Sequence, residues 1–546
     1  MKCPYYGSAV PTCAKKSRFG YNHYPKKTSS SAGGASFFPS VRWLYSNRTT
    51  DQFVLRKPMK ICRNLFLPAS LLASLLFSTV LTRAATAIEA GRSLYVEGYP
   101  SRQSYAPGEV VEFHVSTTAP TYALEVARLG RERKKVFQAD GIPGAEHAVP
   151  ELASVEGCSW PAGYQLKIPA DWTSGYYEVT LRVADGGGKF TQRNRRTATE
   201  SCFFVVRSKA PGDDANILLQ LATNTYNAYN NWGGSSLYGY HGRAFLQGHQ
   251  VSFRRPPASQ FSNWEAPFVA WAEEHGFALD YCTNLDLELK PELVKNYRLV
   301  LSVGHDEYWS WGMRDTLEDY IAQGGNVAFF SGNTCCWQVR WQPETRSLLC
   351  WKQWFNQDPA FTDKDRQSHL TTLWSHYLVG RPENQLTGVG FLHGGYHRSH
   401  GEFMEGKASY TVHRPEHWLF QGTGLKRNDE FGGQDTIVGY ECDGCEIEWR
   451  GGMPFPTHHD GTPKTFAILG TCPARWAPGD SIWYERWPGP KHSGHSVLGV
   501  WTSARGGTVF TCGATDWAHG LRGKDPAVEK ITRNVLERLG QEEAGK

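Results

Sequence analysis

Residues 298–333 read RLVLSVGHDEYWSWGMRDTLEDYIAQGGNVAFFSGN, and this stretch decides the fold. Arg298–Val303 is a short apolar run of the buried-strand type, and Trp309–Gln323 carries its apolar residues at helical spacing. Gly324-Gly325 stops that helix, and Asn326–Phe330 is a second buried-type strand. Working outward, Ile217–Leu221 repeats the strand signature, while Trp264–Gly276 and Leu285–Tyr297 read as amphipathic helical stretches. Gly507–Cys512 adds a late strand and Asp525–Leu539 a final amphipathic helix. Strands alternating with helices predict an α/β domain over 216–546, with a mostly parallel sheet and helices on both faces.

The preceding region has another rhythm. Ser93–Glu97, Val110–Val115, Tyr122–Ala127, Tyr176–Val183 and Cys202–Val206 are short β-type runs. Turn clusters such as Ala106-Pro107-Gly108 separate them, and no helical period intervenes. Such spacing predicts an antiparallel β-sandwich of immunoglobulin-like kind over 88–208. Residues 209–215 have linker composition.

Charge is unevenly spread along the 546 residues. Residues 1–87 hold 13 Lys/Arg and one acid, Asp51, which leaves 45 Lys/Arg against 52 Asp/Glu, about −7, for the rest. The body therefore presents no basic excess of the kind nucleic acid requires. Met59 to Arg63 is a short basic segment, Leu65–Leu81 an apolar one broken by Pro68, and Ala85-Thr-Ala87 a cleavage signature. Residues 59–87 are thus expected to act as a signal peptide, leaving an exported chain that starts near Ile88 and keeps no membrane span. Residues 1–58 read as a basic extension from an over-long gene start or, alternatively, as a true extension.

Ten of the 13 cysteines lie beyond this leader, an even number that permits disulfides in an exported chain. Cys158 precedes a Trp-Pro turn and Cys202 opens a β-type run, so the two are expected to pair. Cys442-x-x-Cys445 lacks a second pair at zinc-finger spacing and reads as a disulfide or as two thiols.

In open α/β sheets, ligands bind outside the carboxyl ends of the strands. Three strands here end in polar and aromatic sequence: Thr223 to Gly234, Gly304-His-Asp-Glu-Tyr-Trp309, and Ser331-Gly-Asn-Thr-Cys-Cys336. Each has an ordinary reading. His305-Asp-Glu307 before a helix serves as an N-cap with acids complementing the dipole. Tyr226 and Tyr229 serve as core aromatics, and Asn333 as a turn residue. Their coincidence at three neighbouring strand ends favours a site. Lys352 and Glu441 lie in further loops and join the candidates, whereas His458-His459-Asp460 reads as an exposed polar loop.

Taken together, these strings resemble the family of the N,N-dimethylformamidase large subunit. The resemblance is carried by Tyr95-Val-Glu-Gly-Tyr99, Asn224-Thr-Tyr-Asn-Ala-Tyr-Asn-Asn-Trp-Gly-Gly234, Gly304 to Trp309, Met313-Arg-Asp315, Gly324 to Asn333, Gly439-Tyr-Glu-Cys-Asp-Gly444 and Ile531-Thr-Arg-Asn-Val535. The resemblance implies a catalytic domain like the class I glutamine amidotransferases and a mononuclear Fe(III) held by two Tyr and one Glu. It also implies hydrolysis of an amide-type C–N bond. Mapped residue by residue, it points to Tyr226 and Glu307 as ligands. Tyr177 is the third, with Tyr176 as its rival. It gives Glu441 the role of general acid/base, lets His305 and Asn333 orient substrate or steady an oxyanion, and lets Lys352 tune Glu441 or anchor a polar group. Hard anionic oxygens suit a ferric ion, which then serves as a Lewis acid with no redox step. A small amide is the expected partner. Homo-oligomerisation and a small subunit stay open, because the predicted mature chain is shorter than the full large subunit.

Two other readings compete. One is a Cys hydrolase with Cys335 or Cys336 as nucleophile and His305 as base. The other is an exported carbohydrate- or surface-binding protein, suggested by the sandwich and the 20 Trp.

Overall fold

The computed structural model describes residues 93–184, 197–239, 247–397, 407–476 and 493–541. The expected extension, signal peptide and cleavage point lie outside them. Among the described residues no helix is long and apolar enough to cross a membrane. The chain is built mostly from β-sheets, several in number, with few helices.

Between Val96 and Val206, a three-stranded and a five-stranded sheet face one another. Every pairing in them is antiparallel except the short Ser104–Tyr105 strand against Thr197–Val206. Alternate residues of each strand, among them Val111, Phe113, Val115, Val179, Leu181 and Val183, fill one shared core.

The second layer is organised by an eleven-stranded sheet. Five neighbours are parallel: Leu279–Thr283, Ile217–Leu221, Leu299–His305, Asn326–Gly332 and Thr508–Thr511. Period-two alternation explains the helices on both faces. Leu299, Leu301 and Val303 pack with Phe268 and Val269 of the Glu265–Glu274 helix and with Ile531 and Val535 of the Pro526–Gly540 helix. Val300, Val327 and Phe329 face the other way, against Met313 and Leu317 of the Trp311–Ala322 helix.

The expectation of a mostly parallel sheet needs correction. Beyond Thr508–Thr511 the sheet continues antiparallel through Ser493–Thr502, Ala467–Arg475, Gly390–Tyr396 and Glu441–Gly444. Among the described residues no α-helix intervenes between these strands, only the 3-10 turn Trp418–Phe420, so they can pair antiparallel. Two predicted helices are also shorter than expected. Tyr308–Ser310 is a strand, so the Trp309–Gln323 helix begins at Trp311, capped by Ser310. Pro291 splits Leu285–Tyr297 into an α-helical and a 3-10 turn.

Polar contacts lock the sandwich to the α/β layer. Arg128 pairs with Glu273 at 2.8 Å and Arg207 with Asp286 at 3.0 Å. Trp232 Nε1 donates to Glu97 at 3.1 Å, and its ring meets Trp160 edge-on at 5.7 Å.

All ten described cysteines are free and buried, which overturns the expected Cys158–Cys202 disulfide. The physical reason is that the two occupy different cores. Cys202 lies inside the sandwich, whereas Cys158 packs with Tyr99, Ala153 and Trp160 at its end. Denatured, unreduced protein should therefore take up iodoacetamide at every cysteine from Cys158 to Cys512. Peptide mapping that finds Cys158 and Cys202 protected would contradict this arrangement.

Candidate functional site

The Leu299–His305 strand ends in a backbone turn that only glycine allows. Gly304 has φ +82°, and a Cβ there would lie 2.3 Å from Trp264 Cβ. The turn sends His305, Asp306 and Glu307 in three directions across the sheet end. Asp306 points into the protein and accepts from Ser302, Gln220 and Asn284 at 2.8, 3.1 and 3.3 Å. It anchors the turn, and burial pushes its carboxyl up to about 6. The main-chain N–H of Glu307 donates to Thr225 Oγ1 at 2.9 Å, tying this turn to the Thr223–Ala228 helix.

Glu307 is the centre of the site. Trp337 Nε1 donates to its Oε1 at 2.8 Å, and Tyr229 donates to its Oε2 at 2.9 Å. The Tyr238 hydroxyl lies 2.8 Å from each carboxylate oxygen and 2.7 Å from the Tyr229 hydroxyl. Tyr308 in turn donates to Tyr238 at 2.6 Å. Burial and the Glu307 charge hold the Tyr229 and Tyr238 phenols well above their ordinary pKa, so both are neutral in this state.

A second carboxylate faces the first across an imidazole. His305 Nε2 lies 2.8 Å from Glu441 Oε2 and 3.2 Å from Glu307 Oε2, aimed squarely at neither, so it forms an ion pair rather than a directed hydrogen bond. Burial disfavours the imidazolium, but the two carboxylates outweigh it and raise His305 to about 10. Glu307 is correspondingly held below its ordinary range against the opposing effect of burial. Asn333, in the left-handed region at φ 51°, donates from Nδ2 to Glu441 Oε2 at 3.1 Å. Lys352 is also left-handed, at φ 53°. Its Nζ stands 3.3 Å from the centroid of the Tyr238 ring, near Tyr308 and Trp337, and burial brings it down to about 8.

The structure thus brings together Glu307, His305, Glu441, Asn333 and Lys352. It does not bring Tyr177, Tyr176 or Tyr226 to them. Tyr177 stacks on Trp172 in the sandwich core and donates to Thr173 O at 2.7 Å. Tyr176 donates to Ser259 at 3.0 Å and stacks on Phe261. Tyr226 donates to the buried Glu265 beneath the site. The phenols that reach Glu307 are Tyr229 and Tyr238. Tyr229 is one of the strand-end candidates in the sequence, to which the resemblance gives no ligand role, and nothing in the sequence around Tyr238 singles it out. Lys352 sits over the Tyr238 ring, within electrostatic reach of Glu307 and Glu441.

The competing candidates have other surroundings. Cys335 and Cys336 are buried thiols that burial pushes far up, and His305 faces carboxylates rather than either sulfur. In the 458–460 loop, Asp460 accepts from the Glu446 and Thr462 amides at 2.6 and 3.1 Å, and His458 contacts Thr462 O. Among the described residues no group of three or more His, Cys, Asp or Glu is placed to hold a metal.

Three oxygens from Tyr229, Tyr238 and Glu307 do fit a cation. Tyr238 and its neighbours make five O···O contacts of 2.6–2.9 Å, counting Tyr229 with Glu307, yet only three hydroxyl protons are present. Two of these contacts have no hydrogen to bridge them. Oxygens that ligate one small cation at about 2.0 Å and right angles stand about 2.8 Å apart, which is the spacing observed.

Comparison with known proteins agrees with the sequence motifs. A family described as N,N-dimethylformamidase beta subunit-like, C-terminal, matches residues 123–531. The N,N-dimethylformamidase beta subunits of Paracoccus aminophilus and Alcaligenes sp are each 24% identical to this chain, over 71% of it and 55% of their own length. The chain spans about half the length of these curated relatives.

The His305 ion pair sets a pH dependence in the metal-free protein. Because the folded pKa is raised, its contribution to stability is complete below about 6.5 and is lost as pH rises through about 10. Urea unfolding at pH 7 and 10.5 should show a loss on the order of a few kcal/mol, and a smaller one in Glu441→Gln. Equal losses in both proteins would show that the pair does not carry it.

Proposed function

Because the chain belongs to the N,N-dimethylformamidase beta subunit-like family, we propose that it is a hydrolase that cleaves the C–N bond of a small, formamide-like amide at a mononuclear ferric site. The observation that supports this reading is the convergence of three hard oxygens, from Tyr229, Tyr238 and Glu307, with too few protons between them. These three residues, rather than Tyr177 and Tyr226, would hold the ion. Bound there, it would supply Lewis acidity that polarises an amide carbonyl, and a positive charge that converts the two phenols to phenolates.

The remaining chemistry belongs to the chain. Glu441 is the general acid/base, taking a proton from water and returning it to the leaving amine. His305 and Asn333 both contact Glu441 Oε2, so they orient that carboxylate. Lys352 lies over the Tyr238 ring and favours negative charge on its oxygen. Tyr308, Trp337 and Trp264 wall the centre with aromatic surface, which suits compact, weakly polar N-substituents better than charged ones.

The same reading includes a partner subunit, since the relatives are named as beta subunits. It also includes export from Met59, an immunoglobulin-like sandwich, and a sheet of glutamine amidotransferase kind. Dimethylformamide is one possible substrate among small amides.

Tyr229→Phe and Tyr238→Phe should each abolish ferric binding and the phenolate-to-iron visible band. Both should fold, with a stability change of about 0.5–1.5 kcal/mol. Tyr226→Phe and Tyr177→Phe should keep the iron and the colour, and Glu441→Gln should keep both while losing amide hydrolysis. A colourless Tyr226→Phe beside a coloured Tyr229→Phe would move the site elsewhere.

A further inference from the structure

Arg255 is fully buried, at 1% exposure, yet no carboxylate among the described residues pairs with it. A buried charge without a counter-ion is among the most expensive arrangements a protein keeps. This guanidinium spends its donors on carbonyls instead. Nε donates to Ser252 O at 3.0 Å, and Nη1 donates to Trp232 O and Ser235 O at 2.6 and 3.0 Å. Nη2 donates to Asn227 O and Oδ1 at 3.4 and 3.3 Å. Four of the five acceptors therefore belong to one loop, 227–235.

That loop carries the site. Tyr229 lies two residues beyond Asn227, and Tyr238 three beyond Ser235. Beyond the last residues of the Thr223–Ala228 helix, its regular structure is a 3-10 turn at Trp232–Gly234 with Gly233 at φ 77°. Asn227 Nδ2 and Asn230 Nδ2 donate to Val251 O and Pro256 O at 3.1 and 2.9 Å, and the sandwich adds Trp232 Nε1 on Glu97 and Ser154 Oγ at 2.7 Å from Ser235 Oγ. Arg255 gathers the two ends of the loop from inside while the sandwich covers it from outside.

We propose that Arg255 is a positioning residue whose carbonyl-bound guanidinium sets the 227–235 loop so that the Tyr229 and Tyr238 hydroxyls meet Glu307. Its planar fork is required, because a lysine ammonium cannot address Ser252, Trp232, Ser235 and Asn227 together. The inference rests on the Tyr229–Tyr238–Glu307 ligand set for its metal consequence, but its geometric content stands apart from it.

The test compares wild type, Arg255→Lys and Arg414→Lys in the full chain. Arg414 gives its guanidinium to Ile468 O and Pro454 O, away from the site, and serves as the structural control. Arg255→Lys should speed hydrogen exchange across 227–239 about tenfold. It should also weaken Fe(III) uptake from nitrilotriacetate, and the visible band, by about 10-fold or more. Arg414→Lys should lower the melting temperature without changing either readout. Unchanged exchange and iron affinity in Arg255→Lys would overturn the proposal. If wild type takes up no iron, the ligand set fails, and exchange across 227–239 alone decides the role of Arg255. If Arg255→Lys does not fold, Asn227→Ala, which deletes one acceptor of the same guanidinium, carries the same measurements, with about threefold effects expected.

Discussion

The site depends on keeping the Glu307 carboxylate out of water. A carboxylate moved into a protein interior costs several kcal/mol unless donors or a cation surround it. Here the partners come from three separate segments: Tyr229 and Tyr238 from one loop, Trp337 from a strand, and His305 from the adjacent turn. Each must stand at hydrogen-bonding distance at once, so the backbone carrying each is fixed as well. This explains the unusual conformations nearby. Gly304, Asn333 and Lys352 all hold positive φ at the ends of the elements that deliver the site. At Asn333 and Lys352, which carry a Cβ, such strain persists only where the surroundings over-determine it.

Support extends outward in layers. Asp306 ties the turn beneath Glu307 to three neighbouring side chains, and Thr225 holds its amide. Asp516 accepts from Trp264 Nε1 at 2.8 Å, and the Trp264 ring lies edge-on to His305. The sandwich takes part too, because Glu97, Ser154 and Trp160 rest on the loop that presents the two tyrosines. It is a wall of the site rather than a passenger.

Much of this was legible in the sequence, and the limits have physical causes. The strand Leu299–His305 is recognisable because both faces are buried, which makes its apolar run continuous. The polar residues just past it stand out for the same reason. The antiparallel half of the sheet was not legible, since Gly390–Tyr396 is glycine-rich, Glu441–Gly444 is short, and glycine and polar residues interrupt the apolar runs of Ala467–Arg475 and Ser493–Thr502. Tyr226 and Tyr229 show why motif reading falters at close range. Three residues apart near one short helix, they differ in direction by about 60°, enough to send one to Glu265 and the other to Glu307. Tyr238 follows Ser235-Ser-Leu237, where no periodicity marks its direction, and only the folded-back loop brings it in. Cys158 and Cys202 each sit in plausible strand-end sequence, but pairing is a property of cores that sequence spacing does not report.

The place of Thr508–Thr511 has a kinetic side. This strand lies between Asn326–Gly332 and Ser493–Thr502, in the middle of the eleven-stranded sheet, although the other described strands of that sheet all precede it in sequence. A growing polypeptide must therefore hold its sheet open, with the edges of both neighbours unpaired, until the segment past 511 has been made. Glu441 is tied to the same segment, because Thr515, just after that strand, both donates to the Glu441 carbonyl at 3.1 Å and receives its amide at 3.3 Å. Placement of Glu441 and closure of the sheet thus depend on one segment, and slow, long-range pairing of this kind leaves apolar strand edges exposed to aggregation in the meantime.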